Sequence, residues 1–212
     1  MLIGLVGFAG SGKGTVADFL ITEKNYTKLS FADPVKDCIS IIFGWDRDLL
    51  EGDTDESREF REKVDTWWSN KLEKEITPRK MLQIMGTEAG RNSIHKNIWI
   101  HVLEKNLEKY DNVVISDVRF TNEMFFIREM HGFNVRVKRG KEPEWFDIAR
   151  EANQKNTPEN MKNFNVHYSE WAWIGHPYDY ELSNDASLET LQVNIENMLK
   201  VLKEPANIVP SL

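Results

Sequence analysis

A glycine-rich segment near the start of the sequence has the residue types needed to bind a polyphosphate. It runs from Gly7 to Thr15, reads GFAGSGKGT, and fits the spacing G-x-x-x-x-G-K with one departure. Glycines let successive backbone N–H groups point at phosphate oxygens, and the ammonium of Lys13 is expected to reach the terminal phosphates. The departure is Gly14, which follows the lysine and moves the hydroxyl to Thr15. A glycine-rich turn that binds nothing is disfavoured, because the segment stands between an apolar run and an amphipathic one.

The predicted phosphate contacts come from the second half of this segment. They are Gly10, Ser11, Gly12, Lys13, Gly14 and Thr15. The GKGT form is typical of small-molecule kinases of the adenylate-kinase type and is found less often in switch GTPases. The sequence contains no N-K-x-D tetrapeptide to read guanine, so ATP is the expected nucleotide.

A second group of polar residues follows the apolar run NVVIS at 112–116. A carboxylate at the end of a buried strand next to the loop strand is placed to hold Mg²⁺ or its water shell, so Asp117 and Thr15 are the predicted metal contacts. Arg119, two residues later, is predicted to reach a transferring phosphoryl group, which makes Lys13, Arg119 and Asp117 the catalytic candidates. The alternative, compatible for different residues, is that Asp117 and Thr121 cap the next helix.

Further basic residues offer charge for an acceptor phosphate, since bringing two anions together otherwise raises the energy. Lys36 lies early in a predicted helix, and Arg79 opens another after the cap-and-proline pair Thr77-Pro78. The alternative for each is a solvated surface charge. The five histidines show no metal-ligand spacing, so a zinc site is not expected.

Strands and helices alternate along the chain. The pattern predicts strands at 2–7, 27–31, 112–116, 133–138 and 179–182. It predicts helices at 13–24, 33–43, 56–75 (with Trp67 and Trp68 buried), from 78 onward, and at 97–110, 121–131 and 187–201. This alternation indicates an α/β protein with a parallel sheet and helices on both faces, whose ligand site lies beyond the carboxyl ends of the strands.

Residues 139–165 differ from the rest of the chain, because they are polar and show no steady hydrophobic period. They are predicted to form a mobile insertion or lid. The C-terminal segment EPANIVPSL is expected to be loosely attached.

Bulk composition limits the partners and compartment. The 212 residues fit one domain with insertions, and the net charge of −7 gives no general argument for nucleic acid or an anionic membrane as a partner. The single cysteine, Cys38, cannot form an internal disulfide, and no apolar run reaches the ~18 residues of a membrane span. A cytoplasmic protein is expected. Whether it forms a homodimer stays open.

Taken in order, these motifs resemble the deoxynucleoside monophosphate kinases of tailed bacteriophages. The shared series comprises the GKGT loop continuing into VADF, ADPVKD at 32–37, PRKMLQIMGT at 78–87, DVRFTNE at 117–123, HYSE at 167–170 and NDASLE at 184–189. The loop alone is generic, whereas the ordered series is much more specific.

The resemblance implies a three-layer P-loop kinase fold that uses ATP and Mg²⁺ to convert deoxynucleoside monophosphates to diphosphates. It implies one domain over 1–212, with a helical acceptor-binding insertion at about 33–110 and a lid at about 139–170 that excludes water. The implied substrate contacts are Lys36, Arg79, Gln83, Thr87, Trp99, Arg119 and Glu170, with Trp99 expected to stack on the base.

The match to this family is uneven. Residues 43–77 and the lid match it loosely, so base selectivity is not transferred, and Arg139, Lys141 and Arg150 have no assigned role. A P-loop kinase for another small phosphorylated acceptor and a non-catalytic protein that uses ATP as a switch are the alternatives. An acceptor pocket with an aromatic stacker would separate the first alternative from the leading hypothesis, and an ADP-release assay with a panel of acceptors would test both.

Overall fold

The computed structural model describes residues 1–204, and most of the C-terminal segment expected to be loosely attached lies outside them. The chain separates into two compact units. The first comprises Met1–Leu29 and the chain from Glu108 onward, and the second is Ser30–Leu107.

The first unit is built on a five-stranded sheet in the order β2-β3-β1-β4-β5, in which every neighbouring pair is parallel. The strands are β1 Leu2–Val6, β2 Thr27–Leu29, β3 Val113–Ile115, β4 Phe133–Lys138 and β5 Tyr180–Ser183. The helices of this unit are α1 Lys13–Lys24, α7 Thr121–Glu129, α8 Phe146–Lys155 and α9 Leu188–Lys203. The predicted α/β class and parallel sheet are confirmed.

The residues of β1 point alternately to the two faces of the sheet, and both faces are covered by helices. All five residues of this strand are buried, as in a parallel strand covered on both sides. Ile3 and Leu5 pack with buried residues of α1 and α9 on one face. Gly4 faces the other way, where a Cβ would come within 2.2 Å of Ile127 of α7. The result is three layers, with the helices that follow β1 and β3 on opposite sides.

Parallel strands bring the segments after their carboxyl ends to one edge of the sheet. In this unit those segments are 7–12 after β1, 116–120 after β3, 139–145 after β4 and 184–187 after β5. The predicted phosphate loop and the predicted Asp117–Arg119 segment are therefore held at the same edge.

The second unit is helical. Its α-helices are α2 Asp33–Phe43, α3 Asp55–Glu62, α4 Thr66–Leu72, α5 Pro78–Gln83 and α6 Ile98–Leu107, with a π-helix at Ile84–Ile94 that continues α5. Its core contains Ile39, Trp45, Leu50, Ile76 and Met81. The hydrophobic pattern predicts a helix from 78 but not the change to π-helical pitch, which is rare and frequently marks a functional segment.

Within the segment 56–75, the prediction that Trp67 is buried is wrong. The segment forms two helices, because the Asp65 side chain caps α4 through the backbone N–H of Trp68 and also accepts a hydrogen bond from the Trp45 indole. Neighbouring residues on a helix point about 100° apart. The Trp68 indole reaches the Phe43 carbonyl at 3.0 Å, while Trp67 is 58% exposed.

The segment after β4 is more regular than its composition suggests. Residues Phe146–Lys155 form α8, a helix that the sequence pattern did not predict within the proposed insertion or lid. Its buried face consists of Ala149 and Ala152, whose small side chains give a weak hydrophobic signal. The Asn153 amide also donates to the carbonyls of Trp171 and Ile174 at 2.9 and 2.8 Å. Across residues 1–204, no helix is long and apolar enough to cross a membrane.

Candidate functional site

The loop between β1 and α1 has the backbone of a phosphate cradle. Gly7, Gly10 and Gly12 have φ values of 141°, 76° and 95°, which favour glycine. Side chains at two of these positions would collide with the protein, since a Cβ at Gly7 would lie 2.4 Å from the Val137 carbonyl oxygen and one at Gly12 would lie 2.1 Å from Asn184 Nδ2. At Gly10 and Gly14 a Cβ would meet nothing within 4 Å. The loop is thus packed closely at two positions and open at two others.

Lys13 is the first residue of α1, and its ammonium folds back over the loop. Nζ donates to the carbonyls of Gly7 and Phe8 at 2.7 and 2.8 Å. An ammonium has three N–H groups, so these two bonds leave one donor for another partner. The predicted lysine therefore lies in direct contact with the predicted loop.

The pKa of Lys13 is lowered from 10.5 to about 8. The largest cause is burial, which disfavours the charged ammonium, and the second is the positive charge of Arg119. The negative charges of Glu170 and Asp117 act in the opposite direction. The structure thus brings four of the predicted residues into one electrostatic environment. A buried ammonium close to a guanidinium favours an anion between them, because each cation raises the energy of the other.

Arg119 is held beside the loop by a carboxylate. Its Nη1 donates to Glu170 Oε1 at 2.7 Å and approaches Ser169 Oγ at 3.5 Å. Glu170 belongs to the 3₁₀ turn Tyr168–Glu170, and the Arg119 side chain remains about half exposed. An anion with access to this guanidinium would compete with Glu170 for it.

The loop also fits a polyphosphate bound with Mg²⁺. Ser11 is 4% exposed, and its hydroxyl has no hydrogen-bond partner among the described residues. Thr15 is exposed in the first turn of α1, and Asp117 is half-buried in the segment after β3. A hydroxyl and a carboxylate are the hard oxygen donors that Mg²⁺ prefers. Glycine backbone, ammonium and oxygen donors together suit the expected ligand.

Glu123 supports this site, although the motif analysis gave it no role of its own. It is 1% exposed, and its Oε2 accepts the backbone N–H groups of Arg119 and Phe120 at 2.8 and 3.0 Å. These bonds fix the backbone that carries Arg119. The signal was present in the sequence, since a glutamate at the third helical position is typical of a capping box.

The two predicted basic residues of the second unit already have acidic partners. Lys36 Nζ lies 2.6 Å from Glu51 and 3.3 Å from Asp33, and only 12% of its side chain is exposed. Arg79 donates from Nε to Glu62 and is more exposed. Their charges are matched in this structure.

Gln83, Thr87 and Trp99 are grouped around the π-helix. Gln83 is exposed at the end of α5, and Thr87 is half-buried within the π-helix. The Trp99 indole donates to the Gly86 carbonyl at 2.8 Å, and a Cβ at Gly90 would come within 2.4 Å of the ring. With 6% of Trp99 exposed, its ring supports the π-helix and has little area to offer a base.

The predicted lid contacts the loop through aromatic rings. Phe8 of the loop makes edge contacts with Trp145 and Phe146 of the lid at centroid distances of 5.5 and 6.1 Å, and with Trp173, which lies just beyond the lid, at 5.2 Å. The three basic residues without an assigned role, Arg139, Lys141 and Arg150, are exposed, and Arg150 pairs with Asp147.

Residues 49–151 match the family model described as deoxynucleotide monophosphate kinase. A protein of Acanthamoeba polyphaga mimivirus, whose description also names a deoxynucleotide monophosphate kinase, is 38% identical over 154 residues that cover 66% of this chain and 74% of the relative. The deoxynucleoside-5'-monophosphate kinase of Escherichia phage T5 is 32% identical over 180 residues, covering 61% of this chain and 72% of the relative. The deoxynucleotide monophosphate kinase of Enterobacteria phage T4 is 24% identical over 260 residues and spans 95% and 99% of the two chains.

Similarity to solved structures is weaker. The alignment with dephospho-CoA kinase from Campylobacter jejuni covers 95% of this chain and 96% of that kinase, with 15% sequence identity and a TM-score of 0.43. These values are too low to support a conclusion about function.

Removing the Glu123 carboxylate tests its support of the segment after β3. Glu123→Ala leaves two backbone N–H groups without their acceptor, so we expect the free energy of unfolding to fall by about 1–3 kcal/mol. Glu129→Ala, on the exposed end of the same helix, should change it by less than about 0.5 kcal/mol. Urea unfolding followed by tryptophan fluorescence measures both. Equal effects of the two substitutions would contradict a supporting role for Glu123.

Proposed function

The chain belongs to the deoxynucleotide monophosphate kinase family, and we propose that it transfers the γ-phosphate of ATP to deoxynucleoside monophosphates, releasing ADP and the diphosphate. The observation that carries this proposal is the glycine loop with Lys13 buried beside Arg119. Membership in this family supports a deoxynucleoside monophosphate as the acceptor. The viral origin of the relatives supports action in the cytoplasm of an infected host.

ATP binding is the task of the loop after β1. Its backbone N–H groups and the N-terminal end of α1 favour the negative charge of the phosphates. Lys13 has one N–H donor beyond its two loop carbonyls, and we assign that donor to the terminal phosphates. The ammonium thus holds the loop shape and the ligand together.

The transfer step needs positive charge near the γ-phosphate. An oxygen of the acceptor phosphate attacks the γ-phosphorus, a new O–P bond forms, and the bond to the bridging oxygen breaks to leave ADP. Arg119 is the residue proposed to bind the transferring group, because it shares the environment of Lys13 and is about half exposed. Its partner Glu170 would be exchanged for the incoming anion. Mg²⁺ bound through Thr15 and Asp117, directly or through water, would offset charge between the β- and γ-phosphates.

Acceptor binding is proposed for residues of the second unit, which includes most of the predicted insertion at about 33–110. Lys36 and Arg79 supply charge, and Gln83 and Thr87 supply polar groups at the π-helix. Because Lys36 is paired with two carboxylates, its contact with an acceptor phosphate requires an exchange of partners. We assign Trp99 to holding the π-helix rather than to stacking, since its ring is packed against Gly90.

A closing role is proposed for the segment at about 139–170. Its contacts with Phe8 connect it to the loop, and Glu170 connects it to Arg119. Movement of such a segment over bound ATP would exclude the water that otherwise hydrolyses it.

An acceptor panel tests the proposed reaction directly. ADP release with Mg·ATP should need an acceptor and should be fastest with deoxynucleoside monophosphates. Lys13→Ala should lower turnover about 100-fold or more, whereas Lys28→Ala, an exposed lysine on β2, should not. Arg119→Ala should lower kcat more than it raises KM for ATP, because its contact strengthens in the transition state.

Three results of this panel would overturn the proposal. Turnover that needs no acceptor would indicate an ATPase or ATP switch, and turnover only with other phosphorylated acceptors would indicate a different kinase. Absence of turnover with every acceptor would contradict a catalytic role altogether.

Proton uptake tests the electrostatics of Lys13. Its pKa of about 8 in the free protein should rise when a polyphosphate stabilises the charged form, so binding should take up protons at and above pH 8. Uptake through this group should vanish at about pH 6.5, where the lysine is already charged, and ATP affinity should fall as the pH rises beyond about 8. Calorimetry in two buffers of different ionisation enthalpy measures the uptake. Lys13→Arg is the control, because a guanidinium does not titrate in this range; persistence of the uptake in that variant would assign it to another group.

A further inference from the structure

A backbone carbonyl of the phosphate loop is held by a side chain from the far end of the sequence. Asn184 Nδ2 donates to the Ser11 carbonyl oxygen at 2.9 Å, across a separation of 173 residues. A peptide plane carries its C=O and its N–H on opposite sides. Because the Ser11 carbonyl points to Asn184, the N–H of Gly12 in the same peptide points away from it.

Asn184 is itself fixed by the sheet. It follows β5 directly, and its backbone N–H donates to the Lys138 carbonyl at 2.8 Å, extending the pairing of β4 with β5 by one bond. The next residue continues this attachment, since Asp185 Oδ1 accepts the N–H of Gly140. The amide of Asn184 is therefore presented from a rigid position.

The contact between this amide and the loop is close. A Cβ at Gly12 would lie 2.1 Å from Nδ2 and 3.3 Å from the side-chain amide carbon of Asn184. The φ of 95° favours glycine at position 12, and a side chain there would displace the Asn184 amide from the loop. The side chain packs directly on the peptide that it bonds.

We propose that Asn184 is a positioning residue for ATP, which orients the peptide between Ser11 and Gly12 so that the Gly12 N–H is available to a phosphate oxygen. This inference rests on the proposed function, because it needs the loop to bind ATP. Asn184 acts through the loop backbone and contacts no phosphate itself. Without its bond, the Ser11–Gly12 peptide is free to rotate, and the carbonyl oxygen in place of the N–H would repel an anion.

Two substitutions separate this role from simple space filling. Asn184→Ala removes the donor and should raise the Kd for Mg·ATP about 3- to 10-fold, in the range of one neutral hydrogen bond. Asn184→Asp keeps the size of the side chain but places a carboxylate against the Ser11 carbonyl oxygen, so its Kd should rise more than that of the alanine variant. If size alone mattered, the aspartate variant would bind better than the alanine variant.

The chain offers a matched control in Asn194. Its Nδ2 donates to the Ser183 carbonyl at 3.2 Å, one residue from Asn184, and this bond does not involve the loop. Asn194→Ala should leave the Kd for Mg·ATP unchanged. In the Asn184 variants the KM for the deoxynucleoside monophosphate should also stay unchanged, which a general loss of folded protein would not produce.

The measurements are calorimetric titration with a non-hydrolysable ATP analogue and steady-state kinetics, with thermal unfolding recorded for each variant. If the unsubstituted protein binds the analogue and both Asn184 variants bind it as tightly as the unsubstituted protein does, the positioning role is contradicted while the kinase proposal stands. A parallel loss in the Asn194 variant, or an aspartate variant that binds better than alanine, also contradicts it. If the unsubstituted protein does not bind the analogue, the kinase proposal itself is contradicted.

Discussion

Burial of the Lys13 ammonium next to a second cation is the interaction on which the site depends. The lowered pKa of this lysine reflects an arrangement that raises the energy of the free protein, since burial disfavours its ammonium and the Arg119 guanidinium, itself about half exposed, adds a second positive charge. Two loop carbonyls and the charges of Glu170 and Asp117 compensate in part. A polyphosphate would compensate more fully, which gives the loop a physical reason to bind one.

The sheet makes this arrangement persistent. The phosphate loop and the Asp117–Arg119 segment follow β1 and β3, which are neighbouring strands of one parallel sheet, so their positions are linked by the backbone ladder. Glu123 holds the backbone N–H of Arg119, and Asn184 holds the backbone carbonyl of Ser11. Both act on main-chain groups, so these two side chains shape the site through its backbone.

Elements with a strong local sequence signal are the ones that could be predicted. The apolar run of β1, the glycine spacing and Lys13 lie within one short segment, and helix α2 has the predicted bounds. The parallel sheet followed from the alternation of elements. The neighbourhood of Asp117 and Lys13 followed from the rule that ligands bind at the carboxyl ends of such strands.

The parts that sequence reasoning missed depend on contacts between distant residues. Helix α8 is stabilised by small buried alanines and by the Asn153 amide, neither of which produces a hydrophobic period. The packing of Trp99 depends on a π-helical turn whose pitch no local pattern indicates. The bond from Asn184 to Ser11 joins opposite ends of the chain, so only the folded sheet reveals it.

An NMR titration of the loop amides tests whether the glycine loop binds the phosphates of ATP. On addition of a Mg-bound, non-hydrolysable ATP analogue, the backbone N–H signals of Gly10, Gly12 and Gly14 should show the largest shifts in the spectrum. The Lys13 side-chain signals should move with the same apparent affinity. Saturation of binding without movement of these glycine signals would show that the nucleotide binds elsewhere, and the account of the loop would be wrong.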